Sequence, residues 1–184
     1  SLWESPFTGG EPFFEGKGLT FINCGSDLIY AGGLLHAYTG ESGALLWAGR
    51  LADQYARARD PRTGLGAYQF SQAIQSRAPT DDRNTSSSFG DRAKRQFGPE
   101  FGDRALEGRM LTPGHANAIY GSATLAMFRL AERLGDAGKP FLDWGRSGLL
   151  ACAAHAYDRD TNRLIPMFTD GTPIRPEDVK RPGY

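Results

Sequence analysis

The sequence predicts an all-α fold, an array of helical hairpins with long loops and little β-structure. Three observations carry this. Four segments place apolar residues at helical spacing between start and stop signals, the second pair of segments repeats the first, and the stretch between the pairs has almost no periodicity.

The first helix is expected after Ser26, which precedes DLIYAGGLLHAY. Leu28, Ile29, Gly32, Leu35 and His36 fall on one side, and Thr39-Gly40 is the stop. From Ser42 a longer helix, GALLWAGRLADQYARARD, lines up Leu45, Leu46, Gly49, Ala52 and Tyr55. Pro61 ends it, because the residue before a proline avoids the helical region. Thr112-Pro113 then sets an N-cap followed by Pro at the first helical position of HANAIYGSATLAMFRLAERL, which ends at Gly135. After a short Asp-Ala-Gly-Lys turn, Pro140 opens FLDWGRSGLLACAAHAY, a fourth helix stopping near Asp158.

Both second helices run into related exits, RDPRTGLGAYQF at 59–70 and YDRDTNRLIPMF at 157–168. Each reads helix, Asp, polar turn, Leu, extended apolar segment, about 98 residues apart. Helix pairs with matching exits point to stacked hairpins, each needing neighbours to bury its apolar face, and four helices are too few to close a ring. The chain, 1–184, thus reads as a single partial domain, with 71–112 as a long loop insertion between the helix pairs. Within it, residues 77–88 read as disordered or solvent-facing, whereas QFGPEFG and ALEGRML carry anchors that predict order.

Composition narrows the function. The chain has 184 residues, 40% of them hydrophobic, and balances 21 basic against 21 acidic side chains. That excludes a global field drawing it to nucleic acid or an anionic membrane, so recognition of an anion must be local. No apolar run approaches the ~20 residues of a membrane helix. The start, SLWESPF, has neither a Met nor a signal pattern, and the chain reads as cut from something longer. Cys24 and Cys152 read as small buried hydrophobes, not as a disulfide or a metal pair.

Among the histidines, His36 and His155 sit within apolar helical runs and read as hydrogen-bonded core residues. His115 stands at a helix start, where a side chain can face a cleft, and is the best functional candidate. HExxH, CxxC, P-loop and GxSxG motifs are absent. What remains is polar side chains interleaved with aromatics in loops: Lys17 beside Phe13 and Phe14, then Tyr68 and Gln69, Arg92 and Gln96 beside Phe97, Glu107 and Arg109. Aromatic faces stack on sugar rings while Arg and Lys bind carboxylates, a mixture suited to an acidic carbohydrate. The same aromatics can equally pin loops to the core, with the arginines in local pairs with Asp81, Asp82, Asp91, Asp103 and Glu107. Lys17, flanked by Gly16 and Gly18, is either a cation clear of side-chain crowding or part of a turn pointing to water.

The blocks FFEGKGLTF, GSDLIYAGGLL, LLWAGRLADQYARARDPRTGLGAYQFSQ, DRAKRQFGPEFG and LIPMFTDGT, in this order, resemble the second half of the catalytic domain of family two pectate lyases. The resemblance runs from about Pro12 to Tyr184 and weakens across 73–90. It implies a partial (α/α) toroid or barrel and β-elimination cleavage of polygalacturonate, with an acidic polysaccharide or oligogalacturonide as partner and a periplasmic or secreted location. It also implies an arginine base and a divalent cation for the full-length enzyme. In that family the Arg-His pair and the metal-binding His and Glu precede the FFEGKGLTF block, and residues 1–10 supply none of them. No catalytic base and no metal ligand is therefore assigned in this chain, which by itself is expected to be inactive and prone to self-association. Rival readings are a glycoside hydrolase or sugar epimerase on the same toroid, for which Glu100 and Glu107 are the tempting carboxylates, and a non-catalytic helical repeat scaffold.

Overall fold

The computed structural model describes residues 19–66, 68–71 and 110–174. The described chain is mainly helical with little strand. Helix α1 spans Ile22–Thr39 and α2 Ser42–Arg57. A second helical rod runs through α3 (Pro113–Ala116), a π-helical segment (Asn117–Ala123) and α4 (Thr124–Leu134). A 3-10 turn, Gly135–Gly138, leads into α5, Lys139–His155. The strands are short: β1 (Leu19–Phe21), β2 (Gln69–Ser71), β3 (Met110–Leu111), β4 (Tyr157–Asp158), β5 (Arg163–Leu164) and β6 (Met167–Phe168). They pair antiparallel as β1–β2, β3–β6 and β4–β5.

Each helix pair is an antiparallel hairpin closed by a tight turn, at Gly40-Glu41 in the first and Gly135–Gly138 in the second. Glu41 caps α2 by accepting from the Gly43 N–H, and Gly40 and Gly135 take the positive φ that stops a helix. α1 lies against both α2 and α4, and α5 against α4 and, less extensively, α2. The hairpins therefore stand side by side in the same orientation. All the described strands adjoin one end of the bundle, where α1 and α3 begin and α2 and α5 end.

α1 starts earlier than its sequence suggests. Ser26 is not its N-cap: it lies buried inside the helix, its Oγ donating to the Asn23 carbonyl at 3.0 Å. The helix reaches back to Ile22 because the Ile22 N–H is satisfied from elsewhere in the chain, by the Tyr68 carbonyl at 2.8 Å. The buried stripe is turned accordingly to Ile22, Gly25, Ser26, Ile29 and Gly33. A side chain at Gly25 would overlap Tyr55 of α2, and one at Gly33 would overlap Leu130 of α4, so glycine sets the helix approach and Leu35 is turned outward. On α2 the buried set is Ala44, Ala48, Leu51, Ala52 and Tyr55, so Leu46 is exposed rather than part of the stripe.

One of the lone cysteines and both outer histidines also differ from expectation. Cys152 is buried but Cys24 is exposed, and both are free thiols. His36 is half-buried near the end of α1, its Nδ1 3.1 Å from the Glu41 carbonyl, and His155 is exposed on the last turn of α5. Neither is a core histidine: each stands in the last turn of its helix, beyond the end of that helix's buried stripe.

The core is continuous across both hairpins. Ile29, Leu51, Leu65, Met127, Leu130 and Phe141 have almost no exposed surface, and Trp144 joins them with its Nε1–H donating to the Ala52 carbonyl at 3.1 Å. Burying side chains of this size contributes on the order of 1.5–3 kcal/mol each before entropy is counted.

The expected likeness of the two exits holds in detail. Asp60 Oδ1 accepts from the Arg62 and Thr63 N–H groups at 2.9 and 3.3 Å, and Asp158 Oδ1 accepts from Asp160 and Thr161 at 2.9 and 3.4 Å. The exits also pack together, with Thr63 Oγ1 donating to the Thr169 carbonyl at 2.6 Å.

Candidate functional site

The strand-bearing end gathers Tyr68, Gln69 and His115. Tyr68 leads into β2, whose pairing with β1 sets Gln69 opposite Phe21. His115 is in α3, directly after β3. Their rings stack with centroids 4.6 Å apart and planes 27° from parallel. Two residues far apart in sequence thus form one aromatic face beside the β1–β2 ladder.

The backbone under this face is tied on both sides. The Tyr68 carbonyl caps α1, and the Gly66 N–H donates to the Tyr120 hydroxyl oxygen at 3.0 Å. Tyr120 is largely buried, and that burial pushes its phenol up to about 12. It belongs to the π-helical segment, where Thr124 Oγ1 donates to the Ile119 carbonyl five residues back. Such a segment widens the rod by a residue and redirects its side chains, which aims Tyr120 at Gly66 in the 59–70 exit.

His115 Nδ1 lies 2.7 Å from the Met110 carbonyl oxygen. A carbonyl only accepts, so Nδ1 carries the proton and the neutral tautomer keeps its lone pair on Nε2. Burial lowers the imidazole pKa, partly offset by the bond to Met110, so the ring is neutral at pH 7. The Tyr68–His115 face is an uncharged platform, and it brings no cation to a carboxylate.

Beneath the same end, Arg59 lies 4.8 Å above the Trp144 ring and donates to Ser147 Oγ at 2.6 Å and the Trp144 carbonyl at 2.8 Å. Burial lowers its pKa, with the Tyr120 phenol acting the other way. Its bonds run to α5, so it fixes the α2 exit rather than facing a ligand.

Of the residues singled out from sequence, Tyr68 and His115 are in contact and Gln69 adjoins them. Lys17, Arg92, Gln96, Glu107 and Arg109 lie outside the described residues, as do Glu100 and the 77–88 segment. Tyr120 and Arg59 escaped the sequence reading. Tyr120 left a trace as a lone phenol beside a glycine in a helical run, but its partner is a backbone N–H no spacing rule finds.

The described histidines stand on separate elements, at the end of α1, in α3 and at the end of α5. Among the described residues no group of three His, Cys, Asp or Glu side chains is placed to hold a metal ion. These residues do not fit a divalent-cation site.

Hairpins standing side by side, their exits and strands collected at one end around an aromatic face, define a helical-hairpin protein with a candidate site at that end. A family model described as periplasmic pectate lyase matches residues 1–184, and the chain belongs to that family. The pectate disaccharide-lyase of Dickeya dadantii (strain 3937) is 42% identical over 169 residues, covering 91% of this chain and 31% of the relative. The chain thus spans about a third of that relative's length. No helix among the described residues is long and apolar enough to cross a membrane.

Proposed function

We propose that this chain is part of a pectate lyase that cleaves α-1,4-galacturonan by β-elimination, and that its strand-bearing end forms part of the pectate-binding cleft. The observation that carries the reading is the Tyr68–His115 stack, on a chain of the pectate lyase family with a relative named pectate disaccharide-lyase. The rival hydrolase, epimerase and scaffold readings draw no support from the family match.

In the reaction a base removes the C5 proton of a galacturonate and the C4–O bond breaks. The electron pair becomes the C4–C5 double bond, and the departing oxygen takes up a proton. A carboxylate next to C5 makes the proton only weakly acidic, so positive groups must meet that carboxylate as charge develops on it. The part proposed for these residues is binding and orientation. A sugar ring rests on the neutral Tyr68–His115 face, Gln69 meets hydroxyls, and Lys17, Arg92 and Arg109 take galacturonate carboxylates, with Gln96 and Glu107 on neighbouring hydroxyls. Base and metal ligands lie outside this chain in this reading, and a divalent cation is a component of the full-length enzyme.

The larger architecture is part of the same proposal. The chain contributes one sector of an (α/α) toroid, with 71–112 inserted as a long loop between its helix pairs. Two features support this: the parallel placement of the hairpins, and the exposure of Leu46, Leu142, Leu149 and Leu150 on outer helix faces that further hairpins would cover. The family's description supports a periplasmic or secreted location.

The test is to incubate the full-length protein with polygalacturonate, with and without chelator, and follow the absorbance of the unsaturated product. A rise, with unsaturated disaccharide among the products, supports the reading; no product from folded protein defeats it.

A further inference from the structure

A second surface lies toward the opposite end of the bundle. Along α1, Tyr30, Leu34 and Tyr38 follow one another at four-residue intervals, and across a groove α4 presents Arg129, Glu132 and Arg133. Together they line an open cleft of about 500 Å³. Tyr38 is 70% exposed, and the Arg133 guanidinium sits 5.0 Å from its ring centroid.

The charges in this cleft are not spent internally. The ion pairs among the described residues join Arg57 to Asp53, Arg62 to Asp60 and Asp170, and Lys139 to Asp143, leaving out Arg129 and Arg133. Two guanidiniums four residues apart are neighbours on one helix face and outweigh the single Glu132 carboxylate. The Tyr38 ring restrains one of them, so less side-chain freedom is lost when it binds. Along α1, Tyr30, partly buried against the core, and the exposed Tyr38 bring two phenols to the cleft about 12 Å apart along the helix axis. Aromatic faces beside forked cations are a recognition surface for a ring bearing a carboxylate.

We infer that the α1–α4 cleft binds a short acidic oligosaccharide, its uronate carboxylates on Arg129 and Arg133 and its sugar rings against Tyr30 and Tyr38. As a galacturonan site it rests on the proposed lyase function, and it acts as a second, non-catalytic hold on the polymer, remote from the Tyr68–His115 face. Glu132 accepts from sugar hydroxyls and disfavours small inorganic anions.

The test uses the full-length protein, its R129Q/R133Q variant and a Y38A variant, all substitutions at exposed positions. Trigalacturonate and its methyl ester are titrated calorimetrically in a Tyr68→Ala background with chelator present, which weakens the strand-end face and stops turnover, and the isotherms are fitted to two sites. Trigalacturonate binding is expected to weaken at least tenfold in R129Q/R133Q and severalfold in Y38A, with the methyl ester bound alike by all. On polygalacturonate, R129Q/R133Q raises KM severalfold and leaves kcat unchanged. Equal trigalacturonate binding with and without the arginines, or binding by neither, overturns the inference. A parent protein that releases no unsaturated product defeats the lyase reading instead, and the titration still decides the cleft.

Discussion

Gly64 and Asn162 occupy the same place in two copies of one turn. Each stands at positive φ, +72° and +54°, four residues after an aspartate whose Oδ1 accepts the N–H groups two and three residues on. Glycine enters this region freely, and asparagine is among the few others that do so at modest cost. Asn162 adds a side-chain bond, accepting from the Tyr157 hydroxyl.

Gly64→Ala therefore costs about 1–2 kcal/mol, since a methyl there also meets Ala151, whereas Asn162→Gly stays within about 0.5 kcal/mol. Urea midpoints at constant m-value measure both. Equal losses at the two sites would show that the turns are not equivalent.

Tyr120 predicts an alkaline limb. Its folded pKa of about 12 lies above the ordinary 10, so the unfolded chain releases this proton first. The stability tied to Tyr120 is complete below pH 10 and is lost as pH rises toward 12, about 2–3 kcal/mol in all. Tyr120→Phe removes that part of the pH dependence and lowers stability by about 1 kcal/mol at neutral pH, because the Gly66 N–H loses its acceptor. Unfolding curves at stepped alkaline pH, with tyrosinate absorbance, report it.

Arg59→Lys costs about 1–2 kcal/mol, because an ammonium cannot fork to Ser147 and the Trp144 carbonyl while lying flat on the indole. Ser147→Ala removes one acceptor and costs about half as much. If Lys matches Arg in thermal melts, the guanidinium geometry is not what joins the α2 exit to α5.

How far the sequence reveals this molecule depends on how local each signal is. α2 and α5 were legible because Ser42 and Pro140 mark their starts within the segment itself. The start of α1 was not, because its cap is a carbonyl from Tyr68, brought in by the fold. The π-helical segment was hidden too, since it is completed by one threonine hydroxyl reaching five residues back. At the site, residue type marked Tyr68 and His115 as candidates, but their stacking and the tautomer set by Met110 are tertiary facts.

His115 predicts an acid limb of the opposite sign. Its pKa is held below the ordinary 6.5 by burial, so on acidification the unfolded chain takes up this proton first and stability falls as pH drops below about 6.5. Imidazole proton shifts followed through a pH titration place its midpoint below that of a model peptide. A midpoint above it would mean that His115 is a cation at the site after all.

The platform itself is tested by Tyr68→Ala. Losing half of the face on which the sugar ring rests is expected to raise KM for polygalacturonate by about three- to tenfold and to leave kcat within about twofold, the mark of uniform binding.

The central claim is that this chain shapes a galacturonan-cleaving site. It is tested most directly by the initial rate of unsaturated product from polygalacturonate, measured on the folded full-length protein and on Tyr68→Ala at low substrate. The account predicts a rate for the parent that falls severalfold in the variant and recovers at saturating polymer. No product from the parent, or an unchanged low-substrate rate in the variant, would contradict it.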